Sequence, residues 1–180
     1  MIEKLDSQKI IHQISPVWNS ESQILILGTM PSPKSREAGF FYMHPQNRFW
    51  KVLPAVFGEY LCYPNNSPDR EAAISERRDF LLLHHIALWD VLASCQISGA
   101  ADSSIKNTRP NDFEQILSNS KIKRVFCTGK TAWSLWKKTC AEKYEERYQL
   151  TLECLPSTSP ANAACNLEKL IEAYKVVAIH

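Results

Sequence analysis

Asn47, Asp90, Asp102 and Asn107 stand where carboxamides and carboxylates could do chemistry. Asn47 closes the stretch FFYMHPQN, Asp90 ends the apolar run HIALWD, and Asp102 and Asn107 lie in the polar run SGAADSSIKN. Such groups hydrogen-bond a polar ligand, hold a water or handle a proton. Each also has a plain structural reading. Asn47 suits a helix N-terminal cap, Asp90 could cap loop amides, and Asp102 and Asn107 could serve loop hydrogen bonding. The segment LPSTSPANA (Leu155–Ala163) sets small hydroxyl residues between prolines. Its amides and hydroxyls could contact phosphates beside a helix start near Ala161–Asn162, or Thr158 or Ser159 could cap that helix. Lys130, in TGKTAW, could hold a phosphate at another helix start. TGKTAW is no P-loop, because the first glycine of that motif would fall at Arg124.

Other chemistries lack their residues. There is no G-x-S-x-G elbow, and Gly28 does not open a G-x-G-x-x-G fingerprint. The six cysteines form no C-x-x-C pair, which disfavours zinc ribbons and iron–sulfur clusters. His84, His85 and Asp90 lack helical ligand spacing, so no metal and no cofactor are expected. Cys95, Cys127 and Cys154 sit in or beside apolar runs and read as buried thiols of a reducing compartment. MIEKLDSQKI has no secretory apolar core and no run approaches membrane-spanning length, so a cytoplasmic protein is expected. The net charge of +2 hides an uneven distribution. From Lys106 to Lys138 there are eight basic and two acidic residues, either a phosphate-facing surface or a solvated helical face.

The elements that position these residues follow from apolar pattern. Near-continuous apolar runs at Gln23–Thr29, His85–Leu92, Arg124–Gly129 and Gln149–Pro156 predict strands buried on both faces, hence a parallel sheet. Helices are predicted at Asn47–Phe57, Pro68–Leu83, Asn111–Asn119, Lys130–Tyr144 and Asn162–Tyr174, with a final short strand at Val176–Ile179. The alternation predicts one α/β three-layer domain over residues 1–180. Ligands of open α/β sheets bind beyond the carboxyl ends of the strands. That edge receives Met30–His44, Asp90 with the Ser94–Asn107 loop, Gly129–Thr131 and Pro156–Asn162. The stretch from Gly28 to Trp50 is far longer than an ordinary connection and rich in aromatics, which marks a functional loop.

GTMP after the first strand, GFFYMHPQNRFWKV, and STSPAN after the fourth together resemble the uracil-DNA glycosylase superfamily. The pattern GF-x-x-x-HP-x-NRFWKV is similar to the mismatch-specific uracil and thymine glycosylases, whose first motif GINPG lies on this chain without a gap. GTMPSPKSREAGFFYMHPQN, IALWDVLASC, DSSIKN and LPSTSPANA most resemble the hypoxanthine-DNA glycosylase (DNA-deoxyinosine glycosylase) family. Met30 stands where the mismatch-specific enzymes carry their catalytic Asn, and a thioether cannot orient a water. The resemblance points instead to Asn47 as the catalytic residue. It implies a three-layer α/β/α fold around a central, mainly parallel four-stranded sheet. It implies a monofunctional, monomeric enzyme, without cofactor or metal, that flips deaminated bases out of DNA and hydrolyses their N-glycosidic bond. Tyr42 would stack on the base. Backbone amides of Thr29 and Met30, or Asn107, would hydrogen-bond it, with Asp102 a weaker candidate. Ser157, Thr158, Ser159 and Asn162 would approach the DNA backbone, and Lys130 a phosphate. The alternatives are a uracil- or mismatch-specific glycosylase, a non-catalytic lesion-DNA-binding module, and a hydrolase of free inosine.

Overall fold

The computed structural model describes residues 8–97 and 104–178, so Asp102 lies outside the described residues. The strands are β1 (Gln8–Ile11), β2 (Ile24–Gly28), β3 (Ile86–Asp90), β4 (Leu92–Ile97), β5 (Lys106–Pro110), β6 (Arg124–Thr128) and β7 (Thr151–Leu155). The predicted four form one parallel sheet in the order β3-β2-β6-β7. Alternation within each central strand divides it between two cores. Ile24, Ile26, Leu88 and Phe126 pack with Phe49, Leu53, Leu81 and Tyr174. Leu25, Leu27, Ala87 and Val125 pack with Phe113, Trp136 and Tyr144. Both faces of β2, β3 and β6 are covered, which is why they read as unbroken apolar runs; β7, expected to be buried alike, is an edge strand with Thr151, Glu153 and Cys154 exposed, so Cys154 is not a buried thiol. Fully burying one such large apolar side chain contributes about 1.5–3 kcal/mol.

Helices α2 (Phe49–Val56), α3 (Arg70–Leu83) and α7 (Leu167–Tyr174) cover the first face, and α4 (Glu114–Ser118), α5 (Lys130–Thr139) and α6 (Ala141–Tyr148) the second. The chain is thus the expected three-layer α/β/α sandwich.

Several elements differ from expectation. The long loop holds a short helix, α1 (Pro33–Ala38), capped by Ser32 and closed by Gly39 at φ 73°. Ser94–Asn107 is not one loop: β1, β4 and β5 form a second, antiparallel sheet in the order β1-β4-β5. Its strands QKII and KNTRP are short and polar, so no apolar period announces them. Only Val91 separates β3 from β4. The Val91 and Leu92 amides donate to Gly28 and Thr29 carbonyls at 2.9 and 3.1 Å, pinning the switch to the end of β2. The predicted helix Lys130–Tyr144 breaks at Cys140, next to Thr139, whose hydroxyl bonds back to the Leu135 carbonyl at 2.7 Å. The last helix starts at Leu167 rather than Asn162, because Asn166, not Ser159 or Thr158, caps it through the Lys169 amide at 2.9 Å. Lys175–Ala178 is a 3-10 turn and not a strand; Val177 is buried in the first core instead of pairing with the sheet.

Candidate active site

A cavity of about 490 Å³ opens at the carboxyl ends of β2, β3 and β6, the edge the sequence pattern selected. Thr29, Met30, Tyr42, Asn47, Lys130, Ser157, Thr158, Ser159 and Asn162 all line it. Its volume lies within the usual range for small-molecule sites. Asn107 is not among the lining residues. It lies exposed on β5 at φ 48°, and its Nδ2 donates to Gln96 Oε1 at 2.5 Å.

Asn47 fills the structural role open to it from sequence. Its Oδ1 accepts the Phe49 amide at 2.9 Å, capping the start of α2. The same oxygen accepts the Thr158 hydroxyl at 2.9 Å, which ties α2 to the loop after β7. A backbone N–H must meet an oxygen, so the orientation of the carboxamide is fixed. Both Oδ1 lone pairs are engaged, and Nδ2, a donor without a partner among the described residues, is left for a ligand. Thr158 is buried, and its hydroxyl is spent on Asn47 rather than offered to a phosphate.

Tyr42 sits at φ 56°, a left-handed conformation that costs an aromatic residue energy and clusters at functional sites. Phe49 stacks behind its ring at 4.0 Å and 13°. Thr128 Oγ1 is 2.8 Å from the Tyr42 hydroxyl and donates to the Leu27 carbonyl at 3.2 Å. The Tyr42 O–H is therefore the donor to Thr128. Burial, with the Asp90 charge second, pushes its pKa well above the ordinary range and keeps the ring neutral. Phe40 and Phe41 are both buried in the first core, and Phe41 also reaches the cavity wall.

The turn that carries these residues is held from behind. Asn65 Nδ2 donates to the carbonyls of Tyr42, His44 and Asn47 at 3.2, 2.9 and 3.2 Å. Buried Arg77 fixes that amide by donating to Asn65 Oδ1 at 3.0 Å, and its guanidinium lies over Trp50. Arg48 staples the loop after β7: it donates to the carbonyls of Thr158 at 3.3 Å, Ser159 at 2.7 Å, Asn162 at 3.0 Å and Cys165. Neither Asn65 nor Arg77 is visible in a local pattern, since their partners lie far along the chain. Arg48, next to Asn47 in an aromatic loop, was visible but without a role.

Asp90 ends β3 beside Gly28, its register partner on β2, and lines the cavity. Its Oδ2 lies 2.8 Å from Nε2 of His12, a residue no sequence feature singled out. A Cβ at Gly28 would lie 2.2 Å from Asp90 Oδ1 and 2.9 Å from the Tyr42 hydroxyl. Gly28→Ala should therefore displace both side chains and destabilise the protein by about 1–3 kcal/mol. A lowered urea midpoint is the expected result, and an unchanged midpoint would refute this packing.

Among the described residues, three of the eight basic residues from Lys106 to Lys138 carry ion pairs: Lys121 with Glu21, Arg124 with Glu153 and Lys137 with Glu145, at 2.6, 3.9 and 2.9 Å. That part is a solvated face, whereas Lys130 stands at the cavity. His84 bonds Glu59 at 2.8 Å, away from Asp90. Among the described residues no group of three His, Cys, Asp or Glu is placed to hold a metal ion, and no helix is long and apolar enough to cross a membrane.

Residues 16–180 match the Uracil DNA glycosylase superfamily. The chain is 32% identical over 116 residues to a Methanosarcina barkeri protein named Hypoxanthine DNA glycosylase, covering 64% of this chain and 68% of the relative. It is 29% identical over 147 residues to a Methanosarcina acetivorans protein of the same name, covering 81% and 84%. A solution NMR structure of a candidate uracil DNA glycosylase from Methanosarcina acetivorans superposes with a TM-score of 0.72 at 24% identity, over 94% of this chain and 99% of the other, and shares the fold.

Proposed function

The chain belongs to the uracil DNA glycosylase superfamily, and from that membership we propose that it is a monofunctional DNA glycosylase removing deaminated bases, hypoxanthine first. It hydrolyses the N-glycosidic bond and leaves an abasic site, the opening step of base excision repair. The names of the two Methanosarcina relatives support hypoxanthine as the substrate. The observation that carries the reading is Asn47, whose Nδ2 is the open donor of a cavity walled by the Tyr42 ring.

In this reading the damaged nucleotide leaves the stack and enters the cavity. The base lies on Tyr42, whose other face is already backed by Phe49. As the bond from C1′ to the base breaks, its electron pair moves onto the base and positive charge spreads over the sugar. Asn47 Nδ2 donates to the attacking water and holds it at C1′; the water oxygen bonds C1′ and its proton passes to solvent or to the departing base. Amides of Thr29 and Met30 face the charge that grows on the base. Ser157, Ser159 and Asn162 approach the DNA backbone, and Lys130 a phosphate, so binding weakens as salt rises. Residues 1–180 act as a single, monomeric, cytoplasmic domain. Water is the co-reactant, and Lys130, at the cavity, serves as a phosphate contact and not as an imine-forming nucleophile for strand cleavage.

Parallel release assays on duplexes carrying one deoxyinosine, deoxyuridine or deoxyxanthosine, beside free inosine, test this reading. Hypoxanthine should be released from DNA fastest and free inosine left intact. Release of uracil alone, or hydrolysis of the free nucleoside, would refute it.

A further inference from the structure

Helix α1 lies in the long loop after β2 and adds little to the core, since Ser35 is its only buried residue. Six residues do not hold a helix in isolation, so side chains brace it. Ser32 Oγ accepts the Ser35 amide at 3.2 Å, Ser35 Oγ accepts the Met43 amide at 3.1 Å, and Arg70 donates to the Glu37 carbonyl at 3.1 Å. These bonds fix a segment that fills almost no core space. What its last turn brings to the cavity is Arg36. Arg36 is half-buried, and its Nη1 donates to the Pro31 carbonyl at 2.9 Å, which sets the direction of the guanidinium. Nε and Nη2, the donors of the other edge, have no acceptor among the described residues. No carboxylate of the described residues pairs with Arg36 either: neighbouring Glu37 is taken by Lys34 at 2.8 Å.

A guanidinium edge with two parallel N–H groups matches an oxyanion that accepts both. A neutral base would leave the half-buried charge uncompensated, whereas each nucleotide inside a strand is flanked by two phosphates. The cavity lining holds two cations, Arg36 from α1 after β2 and Lys130 at the start of α5 after β6. We infer that Arg36 is a phosphate-binding residue whose free edge grips one of the two phosphates flanking the flipped nucleotide, the other falling to Lys130. Gripping the strand beside the lesion holds the nucleotide out of the stack whichever base it carries. The inference rests on the glycosylase reading for its DNA ligand, and its test is separable from that reading.

The test replaces each phosphate flanking a single deoxyinosine, in turn, by an uncharged methylphosphonate and measures binding by the full chain and by Arg36→Gln. Neutralising the phosphate that Arg36 holds should weaken wild-type binding about tenfold, the scale of one charged hydrogen bond at a partly exposed site. Arg36→Gln should bind the native duplex about tenfold more weakly, and lose less than about twofold more at that same phosphate. A loosened α1 would weaken every duplex equally, so only a direct contact makes the two changes non-additive. Lys130→Gln should couple to the other phosphate, and coupling of both variants to one phosphate would overturn the division between them. The slope of log affinity against log salt should fall by about 0.9 in Arg36→Gln and hold in Arg36→Lys, which keeps the charge. Additive losses at both phosphates, no loss at either in the wild type, or a slope equal in the wild type and Arg36→Gln would overturn the inference. A wild type that bound the lesion without releasing the base would refute the glycosylase reading, while the coupling would still decide the role of Arg36.

Discussion

Asn47→Ala should lower the rate of base release about 100- to 1,000-fold, the usual cost of one preorganised donor at a reacting centre. It should also lower stability by about 1 kcal/mol, because Oδ1 caps α2 through the Phe49 amide. The two effects have different atoms as their source and can be parted. Asn47→Ser restores a capping hydroxyl but offers no second polar arm to the cavity. Its urea midpoint should return to near the wild-type value, while its single-turnover rate stays as low as that of Asn47→Ala. A serine variant that recovered both would show that Asn47 acts only as a cap and that the chemistry lies elsewhere.

Arg48→Ala should be the more damaging change to the fold of the site. One guanidinium bonds the carbonyls of Thr158, Ser159, Asn162 and Cys165. Its removal strips the loop after β7 of its tie to α2, and a hydrogen bond to a charged group contributes about 1.5–3 kcal/mol net, less where the group is partly exposed. A net loss of about 3 kcal/mol is expected, together with faster amide exchange across residues 157–165 and at least tenfold weaker binding to lesion DNA. Thr158 would loosen with the loop, and Asn47 would lose a partner. Arg48→Lys should not rescue, since an ammonium cannot span several carbonyls as a planar fork does. Wild-type stability and binding in Arg48→Lys would contradict the staple.

The parallel sheet was legible because β2, β3 and β6 are buried on both faces, and a strand covered on both sides must be apolar at every position. The second sheet was not, because β1 and β5 are held by pairing with β4 and not by an apolar period. The cavity edge followed from strand direction, which brings Thr29, Tyr42, Asn47 and the Ser157–Asn162 loop to one end of the sheet. Asn107 falls outside the cavity lining because its segment, read as a loop over the site, is a strand paired with β4, where its side chain bonds Gln96. The braces were illegible for a different reason. His12 meets Asp90 across 78 positions, and Arg48 reaches carbonyls more than 100 positions away. Backbone carbonyls carry no residue type, so no pattern of letters marks their partners.

Single-turnover incubation with a labelled duplex bearing one deoxyinosine tests the central claim most directly. Free hypoxanthine and an abasic site in an unbroken strand are the predicted products, formed by the wild type and nearly lost in Asn47→Ala. Tight binding of the lesion with no base released would contradict the account and leave the cavity a reader of damaged DNA without chemistry.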